Sequence, residues 1–580
     1  MTLLQSLPLT HFLKHYRLES FVRDCVAGIV VSIVMIPQCM GYALLAGMPA
    51  EYGLYCAILP TFLYALLGSS RCLSVGPAAL ISIILASSIA ALNPQSDAQY
   101  IFYAVNISFL AGMFLLLMRL LRLGNLTNYI STPVISGFTS AAALTIMLSQ
   151  LKHVLGVEIG AGLDFGETLR ALIRSLVEVN WPTLSIGVGA CLVLWYFKAL
   201  FPALIKTFSL PTWLQQALGK SGPMVVVFGA AALVAVLQLD QTSGVAVLGN
   251  IPPGLPDLTA VWTGFSMDIE LWKQLALPAF LIALMCFITS IAVGSSLASL
   301  RKERVNPNQE LLALGIANLG AAVSGTFALA GSLSRSAVSH QAGAETPIAS
   351  VISALCIILT LLVLTPLFYS LPLAVLGAIV IMSVFSMIDI AQVGRCWKLN
   401  RADAYSLLAT FFAVLVFNIE IGICVGIILS IVLLVHRASH PHIAVVGRVG
   451  ESAHFRNVER HDVVTDESII AIRVDESIYF SNVQFIEDFI LEQCSAHPHA
   501  EHVVLICSSV SFIDATAVDA LEQLGEKLRE TGITFHLAEV KGPVMDQLKR
   551  TEMIERLKPG QIFFTVDEAM RSLAVSKQNG

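Results

Sequence analysis

Charge is the scarcest property of this chain. Only 13% of its 580 residues are Asp, Glu, Lys or Arg, whereas soluble globular domains carry about 25%. Hydrophobic residues make up 56%, and apolar runs that approach the roughly 20 residues needed to cross a bilayer recur up to Arg437. The mild formal net charge of −6 argues against nucleic-acid partners, which select basic surfaces. The composition therefore predicts a polytopic helical membrane protein.

The sequence also lacks the signatures of several other protein classes. Its eleven cysteines form no CxxC pair, which predicts packing residues rather than a disulfide framework or a metal site. Without a GxxxxGK[ST] loop, ATP-driven transport is not expected. The amino terminus lacks the charged start and apolar core of a signal peptide. Because no paired carboxylates or Ser/His/Asp set gather at one depth, we expect neither an enzyme nor a cofactor.

The distribution of Lys and Arg predicts the topology. Hydropathy indicates about fourteen spans, two of which, at 77–92 and 334–342, are short for a full crossing. The cationic loops contain Arg119, Arg122, Lys198, Lys220, Arg301, Lys302, Arg304, Arg395, Lys398 and Arg401. Because positive loops stay inside, both termini are predicted to be cytoplasmic. Residues 1–23 are then an N-terminal cytoplasmic segment and 24–437 the membrane domain.

The composition changes after residue 440, where charges become frequent. SIIAIRV, IYFSN, HVVLICSS and ITFHLAEV have the residue types of strands, and helical patterns such as VQFIEDFILEQC separate them. Strands that alternate with helices of about 10–15 residues predict an α/β fold. We therefore expect a cytoplasmic α/β domain over residues 440–575.

Two stretches interrupt the apolar pattern at membrane depth. In SVGPAALIS, residues 74–82, Gly76 and Pro77 cannot lie inside a helix, but proline suits a first helical turn. In GSLSRSAV, Ser332 is suited to cap a helix that begins near Leu333. The sequence therefore predicts two helices that start within the membrane.

A helix that starts inside the membrane offers a place for an anion. Its first N–H groups are unpaired and carry the positive end of the helix dipole, and in lipid they need a partner such as a bound anion. Arg335, a costly cation at this depth, would add positive potential. The alternative is that Arg335 pairs with an acid or reaches an interface. The breaks open the third and tenth predicted spans, which suggests two inverted repeats of seven spans.

The first span contributes two further polar side chains. In IPQCMGYALLAGMP, Pro37 bends the helix, and Gln38 and Tyr42 lie one turn apart on one face. Gln38 offers two N–H donors, which is a neutral way to hold an anion. A hydrogen bond between helices is an equally supported alternative.

Together these stretches resemble the SulP family of anion permeases, whose animal branch includes prestin and pendrin. The resemblance rests on DCVAGIVVSIVMIPQCMGYALLAGMPAEYGLY, YALLGSSRCLSVGPAALIS, NPNQELLALGIANLGAAVSG and GSLSRSAV, and continues into a C-terminal domain similar to STAS domains. It implies a core and a gate, each drawn from both repeats, and a core that moves like an elevator. The implied anion site consists of Gln38, Tyr42, Ala78, Leu333, Ser334 and Arg335, with Gly76, Pro77 and Ser332 framing it. The N–H groups of Ala78 and Ser334 would be direct donors.

The chain departs from the family pattern at two of these positions. Ala78 stands where relatives often have a larger aromatic residue, which leaves the substrate size open. Thr289, in FITSIAVGSS, stands where many bacterial and plant members have a glutamate thought to link anion uptake to protons. We therefore expect exchange, uncoupled or sodium-assisted transport rather than proton symport. The alternative is that another acid couples protons; Glu310 and Glu420 are interpreted as structural and interfacial, respectively.

The STAS-like domain has one candidate regulatory position. In SFIDATAVDAL, Asp514 and Thr516 match a stretch that carries a regulatory phosphorylation in bacterial anti-sigma-factor antagonists. Thr516 is thus a candidate phosphorylation site. The alternative, which we favour, is that Asp514 or Thr516 only caps the following helix. The resemblance also implies a homodimer and cytosolic protein partners for this domain.

The predicted function is secondary active transport of a small anion, with sulfate first, across the cytoplasmic (inner) membrane. Bicarbonate, chloride or nitrate, and C4-dicarboxylates are alternative substrates, and H⁺ or Na⁺ are candidate co-transported ions. An uncoupled anion channel and a membrane sensor that signals through the STAS-like domain are alternative functions. The expected partners are the anion, membrane lipid and a second copy of the chain.

Overall fold

The computed structural model describes residues 16–124, 131–159, 164–205, 218–256, 268–417 and 419–576, together with the single residues 8, 207 and 215. The chain divides into two compact units, with the boundary between Ser430 and Ile431. Most of the predicted segment 1–23 lies outside the described residues. Its last residues, from Leu18 onward, already belong to the first helix.

The first unit is helical. The helices of its amino-terminal half are α1 (Leu18–Leu45), α2 (Ala50–Cys56), α3 (Leu59–Leu67), α4 (Ala79–Ala90), α5 (Asp97–Leu120), α6 (Thr132–Leu155), α7 (Phe165–Ser175), α8 (Trp181–Ala199), α9 (Phe201–Ile205), α10 (Gly222–Leu237) and α11 (Leu239–Thr242). The helices of its second half are α12 (Ile269–Leu300), α13 (Pro307–Val323), α14 (Leu333–Gln341), α15 (Ile348–Leu359), α16 (Leu373–Val384), α17 (Ile390–Leu399) and α18 (Arg401–Val416), followed by α19 (Ile419–Ser439), which contains the boundary between the two units. Two short strands, β1 (Val75–Gly76) and β2 (Ala330–Gly331), precede α4 and α14.

Many of these helices are apolar enough to cross a bilayer. Among the described residues, nine helical segments have the length and composition of a membrane span, and α4 and α10 are shorter apolar helices. From Cys25 onward helix α1 is mostly apolar and largely buried, and the helix packs against α2, α10, α14, α15 and α16, as expected of an apolar helix that needs neighbours on several sides. The polytopic helical fold class is confirmed, whereas the count of about fourteen spans stays a prediction.

Two buried carboxylates fasten loops of the first unit. Asp24, which is 0% exposed, accepts hydrogen bonds from the backbone N–H groups of Glu345 (2.7 Å) and Thr346 (3.1 Å). Glu310, on α13, accepts bonds from the Tyr64 hydroxyl at 2.8 Å and from the backbone N–H and hydroxyl of Ser69, both at 2.7 Å. Because buried charges require such partners, both carboxylates are engaged by the fold. The side chain of Glu420 lies outside the described residues.

The second unit is an α/β domain with a mixed sheet. Its strands are β3 (Ile443–Arg448), β4 (Phe455–Asn457), β5 (Ile469–Val474), β6 (His502–Ile506), β7 (Thr534–Ala538) and β8 (Ile562–Phe563), in the order β4-β3-β5-β6-β7-β8. Strands β5 to β8 pair in parallel, and β3 is antiparallel to β4 and β5. Its helices are α20 (Val483–Ala496), α21 (Ala515–Glu530), α22 (Gly542–Leu548), α23 (Met553–Arg556) and α24 (Val566–Ser576). The predicted α/β class is confirmed.

One predicted strand of this domain is wrong. IYFSN forms a single bridge, from Ile478 to Ile513, and then a turn. The backbone N–H of Tyr479 donates to the Asn482 side chain at 3.0 Å, and that of Phe480 donates to Asp514 at 2.9 Å. These side chains take the N–H groups that a neighbouring strand would otherwise receive, which is how Asn and Asp favour turns.

A histidine pair bridges β6 and β7. The Nε2 atom of His536 lies 3.2 Å from Nδ1 of His502, and the backbone N–H of Gln561 donates to Nδ1 of His536 at 3.1 Å. The neutral His536 ring with its proton on Nε2 satisfies both bonds. Burial, and then the neighbouring His502, lower the pKa of His536 to about 4.

Candidate anion-binding site

The two predicted helix breaks meet in space. Strands β1 and β2 pair antiparallel, with Val75 opposite Gly331 and Gly76 opposite Ala330. This pairing satisfies extended backbone that would be too costly to expose inside a membrane. Helices α4 and α14 therefore begin side by side, although about 250 residues separate them in the chain.

Further hydrogen bonds join the two breaks. The backbone N–H of Ser332 donates to the carbonyl oxygen of Ser74 at 3.0 Å. The backbone N–H of Ser74 donates in turn to the hydroxyl of Ser336 at 2.8 Å. Together with the strand pair, these bonds connect the starts of α4 and α14 directly.

Neighbouring helices hold this junction through side chains that the sequence analysis did not identify. Ser290, on α12, accepts the N–H of Gly331 at 2.9 Å, and the hydroxyl of Thr61 donates to the carbonyl of Val75 at 3.2 Å. Asn318, on α13, accepts the N–H of Leu329 at 3.1 Å. Their only sequence signal is a polar residue within an apolar span, and such residues commonly bond between helices.

Neither helix start has a side-chain cap. The residue before α4 is Ala78, which has no polar side chain, and the Ser332 side chain makes no capping bond to α14. The expectation that Ser332 caps the helix with its hydroxyl is therefore wrong. The first i to i−4 bonds are donated by Ser82 at 2.9 Å and Ser336 at 3.0 Å. The N–H groups of the preceding turn have no acceptor within the helix at either start.

The guanidinium of Arg335 lies behind these helix starts. Its side chain is completely buried, and Nη1 donates to the carbonyl oxygen of Pro77 at 2.8 Å. Within the described parts of the chain, Nε and Nη2 have no hydrogen-bond partner and no acid pairs with Arg335. A Cβ atom on Gly76 would lie 3.3 Å from Nη2 and 2.7 Å from the Met35 methyl group. Glycine at this position thus permits the close approach of the arginine.

A cavity of about 670 Å³ opens in front of the two helix starts. Of the predicted site residues, it is lined by Gln38, Tyr42, Ala78, Ser332, Leu333, Ser334 and Thr289. Gly76, Pro77 and Arg335 are not part of its wall. The structure thus brings seven of the predicted positions to one cavity, whereas Arg335 is completely buried outside the cavity wall.

The two polar side chains of α1 differ in their hydrogen bonding. Gln38 lines the cavity, and within the described residues its amide oxygen is buried without a hydrogen-bond partner. The Tyr42 hydroxyl lies 3.0 Å from the Ser383 hydroxyl, which also donates to the Val380 carbonyl at 2.7 Å. Tyr42 is therefore the donor to Ser383, and its hydroxyl proton is already used.

The position of the expected coupling glutamate has no ionisable group. The hydroxyl of Thr289 donates to the carbonyl of Met285, one helical turn earlier, at 2.7 Å. The charged residues in the cavity wall are Lys198, Lys220 and Asp389. Asp389 caps α17 by accepting the N–H of Gln392 at 3.0 Å, and the two lysines outnumber this single carboxylate.

The candidate phosphorylation site lies at the start of α21. Asp514 caps this helix, because it accepts the N–H of Ala517 at 2.8 Å. Thr516 is exposed and is the second residue of the helix. The capping role thus belongs to Asp514, whereas phosphorylation of Thr516 stays a prediction.

The fold and the site define the class of protein. An apolar helical bundle in which two discontinuous helices start side by side over a cavity is typical of membrane transporters. The chain belongs to the sulfate permease family, whose family model matches residues 21–410, and a STAS domain model matches residues 460–569. It is a multi-pass membrane transporter of small anions and not an enzyme, and the resemblance found in the sequence is confirmed.

Individual relatives are similar over almost the whole chain. The sequence is 31% identical to probable sulfate transporter 4.2 of Arabidopsis thaliana, over 97% of this chain and 82% of that protein. It is 30% identical to a probable sulfate transporter of Mycobacterium tuberculosis, over 96% of each chain.

Solved structures share the fold. A structure of the murine Solute Carrier 26 family member A9 anion transporter in the inward-facing state matches with a TM-score of 0.87 at 22% identity, over 98% of this chain and 94% of that chain. The transmembrane domain of the cyanobacterium bicarbonate transporter BicA matches with a TM-score of 0.59 at 21% identity, over 72% of this chain and 98% of that domain. At such identities these similarities concern the fold alone.

Proposed function

We propose that the protein carries sulfate across the cytoplasmic membrane, with the anion held between the starts of α4 and α14. The observation that carries this proposal is the pair of uncapped helix N-termini that start side by side over one cavity. Their unpaired N–H groups and dipoles favour an anion. The relatives in Arabidopsis and Mycobacterium are named as probable sulfate transporters, which favours sulfate over the alternatives.

The charge of the site suits a dianion. Arg335 adds a full positive charge that is buried outside the cavity wall, and Lys198 and Lys220 add two more in that wall. Because Coulomb energy scales with the charge of the ligand, sulfate gains about twice as much as bicarbonate, chloride or nitrate at the same position. The small side chain of Ala78 leaves room for a tetrahedral oxyanion.

The contacts between the two helix starts support a rigid carrier. Arg335 bonds to Pro77, and Ser74 bonds to both Ser332 and Ser336. An elevator movement requires that both helix N-termini travel with the anion as one body. In our proposal the core that contains α1, α4, α12 and α14 moves against a gate that contains α6, α8, α10 and α16. The backbone N–H groups of Ala78 and Ser334, with Gln38, hold the anion during this movement.

The coupling ion follows from the chemistry at Thr289. A threonine hydroxyl that donates to its own helix cannot take up a proton near neutral pH. Asp389 is the only acid of the cavity wall among the described residues, and it caps α17 by accepting the N–H of Gln392. We therefore propose exchange against a counter-anion, or sodium-assisted uptake, rather than proton symport.

The organisation of the transporter completes the proposal. Residues 24–437 form the transport domain and residues 440–575 form a cytoplasmic STAS domain, with both termini in the cytoplasm. Two copies of the chain form a homodimer in the inner membrane, and the STAS domain, with Thr516, receives signals from cytosolic proteins.

The test is uptake of labelled sulfate, bicarbonate and fumarate into proteoliposomes that contain the purified full chain. Each anion is measured with an imposed pH gradient, a sodium gradient, a counter-anion inside, or no gradient, and protein-free vesicles are the control. We expect saturable sulfate uptake that responds to sodium or the counter-anion and ignores the pH gradient. Uptake of bicarbonate or fumarate without sulfate would overturn the substrate, and uptake that follows the pH gradient would overturn the coupling.

A channel on the same fold is distinguished by its currents. A carrier saturates as the anion concentration rises, whereas a channel gives a conductance that saturates poorly and is visible in a planar bilayer. We expect no unitary currents in sulfate solutions. Absence of both uptake and current would instead favour the sensor function.

A further inference from the structure

Helix α7, together with the short turn Leu176–Glu178 that follows it, connects two membrane spans, α6 and α8. Its first turn is capped by side chains of the helix itself and of the residue before it. Asp164 accepts the N–H of Glu167 at 2.7 Å, and the Glu167 carboxylate accepts the N–H of Asp164 at 3.3 Å. This reciprocal capping box stabilises the helix. Because the helix joins two spans, it lies at a surface of the membrane.

The helix has three distinct faces. Leu172 is buried where α7 packs against α6 and α18. A second face consists of Leu169, Ile173, Leu176 and Val177, and it is exposed, with Val177 94% and Ile173 59% accessible. The spacing of these four residues follows the helical repeat and makes one continuous apolar stripe.

The third face is polar and contains a pair of arginines. Arg170 and Arg174 lie one turn apart, beside the apolar stripe, and both are exposed. Neither forms an ion pair with an acid of the described chain: Glu167 is engaged in the capping box, and Glu178, four residues after Arg174, pairs with neither arginine. The arginines are therefore available for an external anionic group.

The position of the helix identifies the partner. An apolar stripe beside a cationic stripe is typical of helices that lie in the interface of a bilayer. Trp181, the first residue of the span α8, is 72% exposed, and exposed tryptophans at span ends mark the interface. The stripe and this tryptophan thus border the same membrane surface.

We propose that α7 is an interfacial lipid-binding helix. Its apolar stripe lies among the acyl chains, and Arg170 and Arg174 bind the phosphate of an anionic phospholipid. In the proposed orientation this is the leaflet opposite the cytoplasm. Because α7 packs against α6 and α18, the lipid contact holds these spans at a fixed depth. That last consequence rests on the proposed function, in which the α4 and α14 core moves past them.

The first test detects the lipid directly. A photo-crosslinking amino acid is introduced at Ile173 or Val177 on the stripe, and at Glu178 on the polar side as the matched control. The full chain is irradiated in vesicles of phosphatidylethanolamine and phosphatidylglycerol, and adducts are identified by mass spectrometry. We expect lipid adducts at the stripe positions at least about fivefold above those at Glu178. Equal yields at all three positions, or crosslinks between two copies of the chain, would overturn the proposal.

The second test concerns the arginine pair. The double variant Arg170→Gln, Arg174→Gln is compared with Lys273→Gln, whose ammonium already pairs with Glu270 at 2.7 Å. We expect the double variant to lose at least about half of the phosphatidylglycerol that remains bound in native mass spectrometry, while the control retains it. Unchanged retention in the double variant would refute the phosphate site. Both tests read lipid contacts and not uptake, so their outcome is independent of whether sulfate is the substrate.

Discussion

Replacing Arg335 with methionine removes a buried charge and retains an unbranched, flexible side chain, although a shorter one. In the structure this charge is buried outside the cavity wall, and its hydrogen bond goes to the carbonyl of Pro77. We therefore expect it to act on the anion through the electrostatic field. An effect through the field depends on ligand charge, whereas a purely structural effect does not.

The size of the effect follows from Coulomb's law. At roughly 10 Å and an effective dielectric constant of about 20, a unit charge stabilises a dianion by about 3 kcal/mol and a monoanion by half as much. Arg335→Met should therefore raise the KM for sulfate by roughly a hundredfold and that for a monovalent competitor by roughly tenfold. Arg335→Lys, which retains the charge but not the fork-shaped donor, should fall between wild type and methionine.

The assay is uptake into proteoliposomes over a range of sulfate concentrations, with a monoanion as competitor. The variant should remain folded, because the β1–β2 pair and the bonds of Ser74 still join the helix starts, and thermal unfolding in detergent checks this. An unchanged KM would refute the role of Arg335. An equal loss for sulfate and for the monoanion would show that the arginine only positions Pro77.

Three further predictions concern the site and the cytoplasmic domain. Ser334→Glu should abolish uptake without unfolding the chain, since a carboxylate would occupy the helix start; retained flux would locate the site elsewhere. Lys198→Gln with Lys220→Gln should raise the sulfate KM about threefold at low salt and leave it unchanged at high salt, where the field is screened; a difference that persists at high salt would contradict a long-range effect. In the folded chain His536 has a pKa of about 4 instead of 6.5, so the unfolded state takes up the proton first and stability falls as pH drops from 6.5 to 4. Hydrogen exchange of β7 in the intact protein should show that the free energy of unfolding falls by about 2 kcal/mol at pH 5. In His536→Gln this acid-induced loss should be absent. Equal acid sensitivity of the wild type and the variant would refute the role of His536.

The helix starts could be predicted because the signals are local. Pro77 has no N–H group and a fixed φ, so it restricts where α4 can begin, and Ser332 marks the residue before α14. The structure begins these helices at Ala79 and Leu333, within two residues of the expected positions. The error at Ser332 concerns its side chain, whose orientation local sequence does not determine.

The contacts that complete the site could not be predicted, since they join distant parts of the chain. Ser290 and Asn318 gain their roles only when α12 and α13 pack beside β2. The burial of Arg335 outside the cavity wall depends on the close approach that Gly76 allows. The sequence alone does not indicate which distant residue an arginine or a small polar residue within an apolar run will contact.

The charged residues of the cavity wall could not be predicted from the sequence either. Lys198 and Lys220 were expected as cytoplasmic loop cations, and only the fold shows that both border the cavity. In the second unit, the residues of IYFSN suit a strand, yet Asn482 and Asp514 bind the N–H groups that would pair. Tertiary hydrogen bonds override the propensity of such a short segment.

The central claim is that an anion binds between the N-termini of α4 and α14. The most direct measurement is a crystal structure with selenate, a heavier analogue of sulfate, whose anomalous scattering locates it without ambiguity. Our account predicts an anomalous peak within hydrogen-bond distance of the backbone N–H groups of Ala78 and Ser334, with Arg335 behind it. A peak elsewhere in the cavity, with these N–H groups unoccupied while selenate still competes with sulfate for uptake, would contradict it.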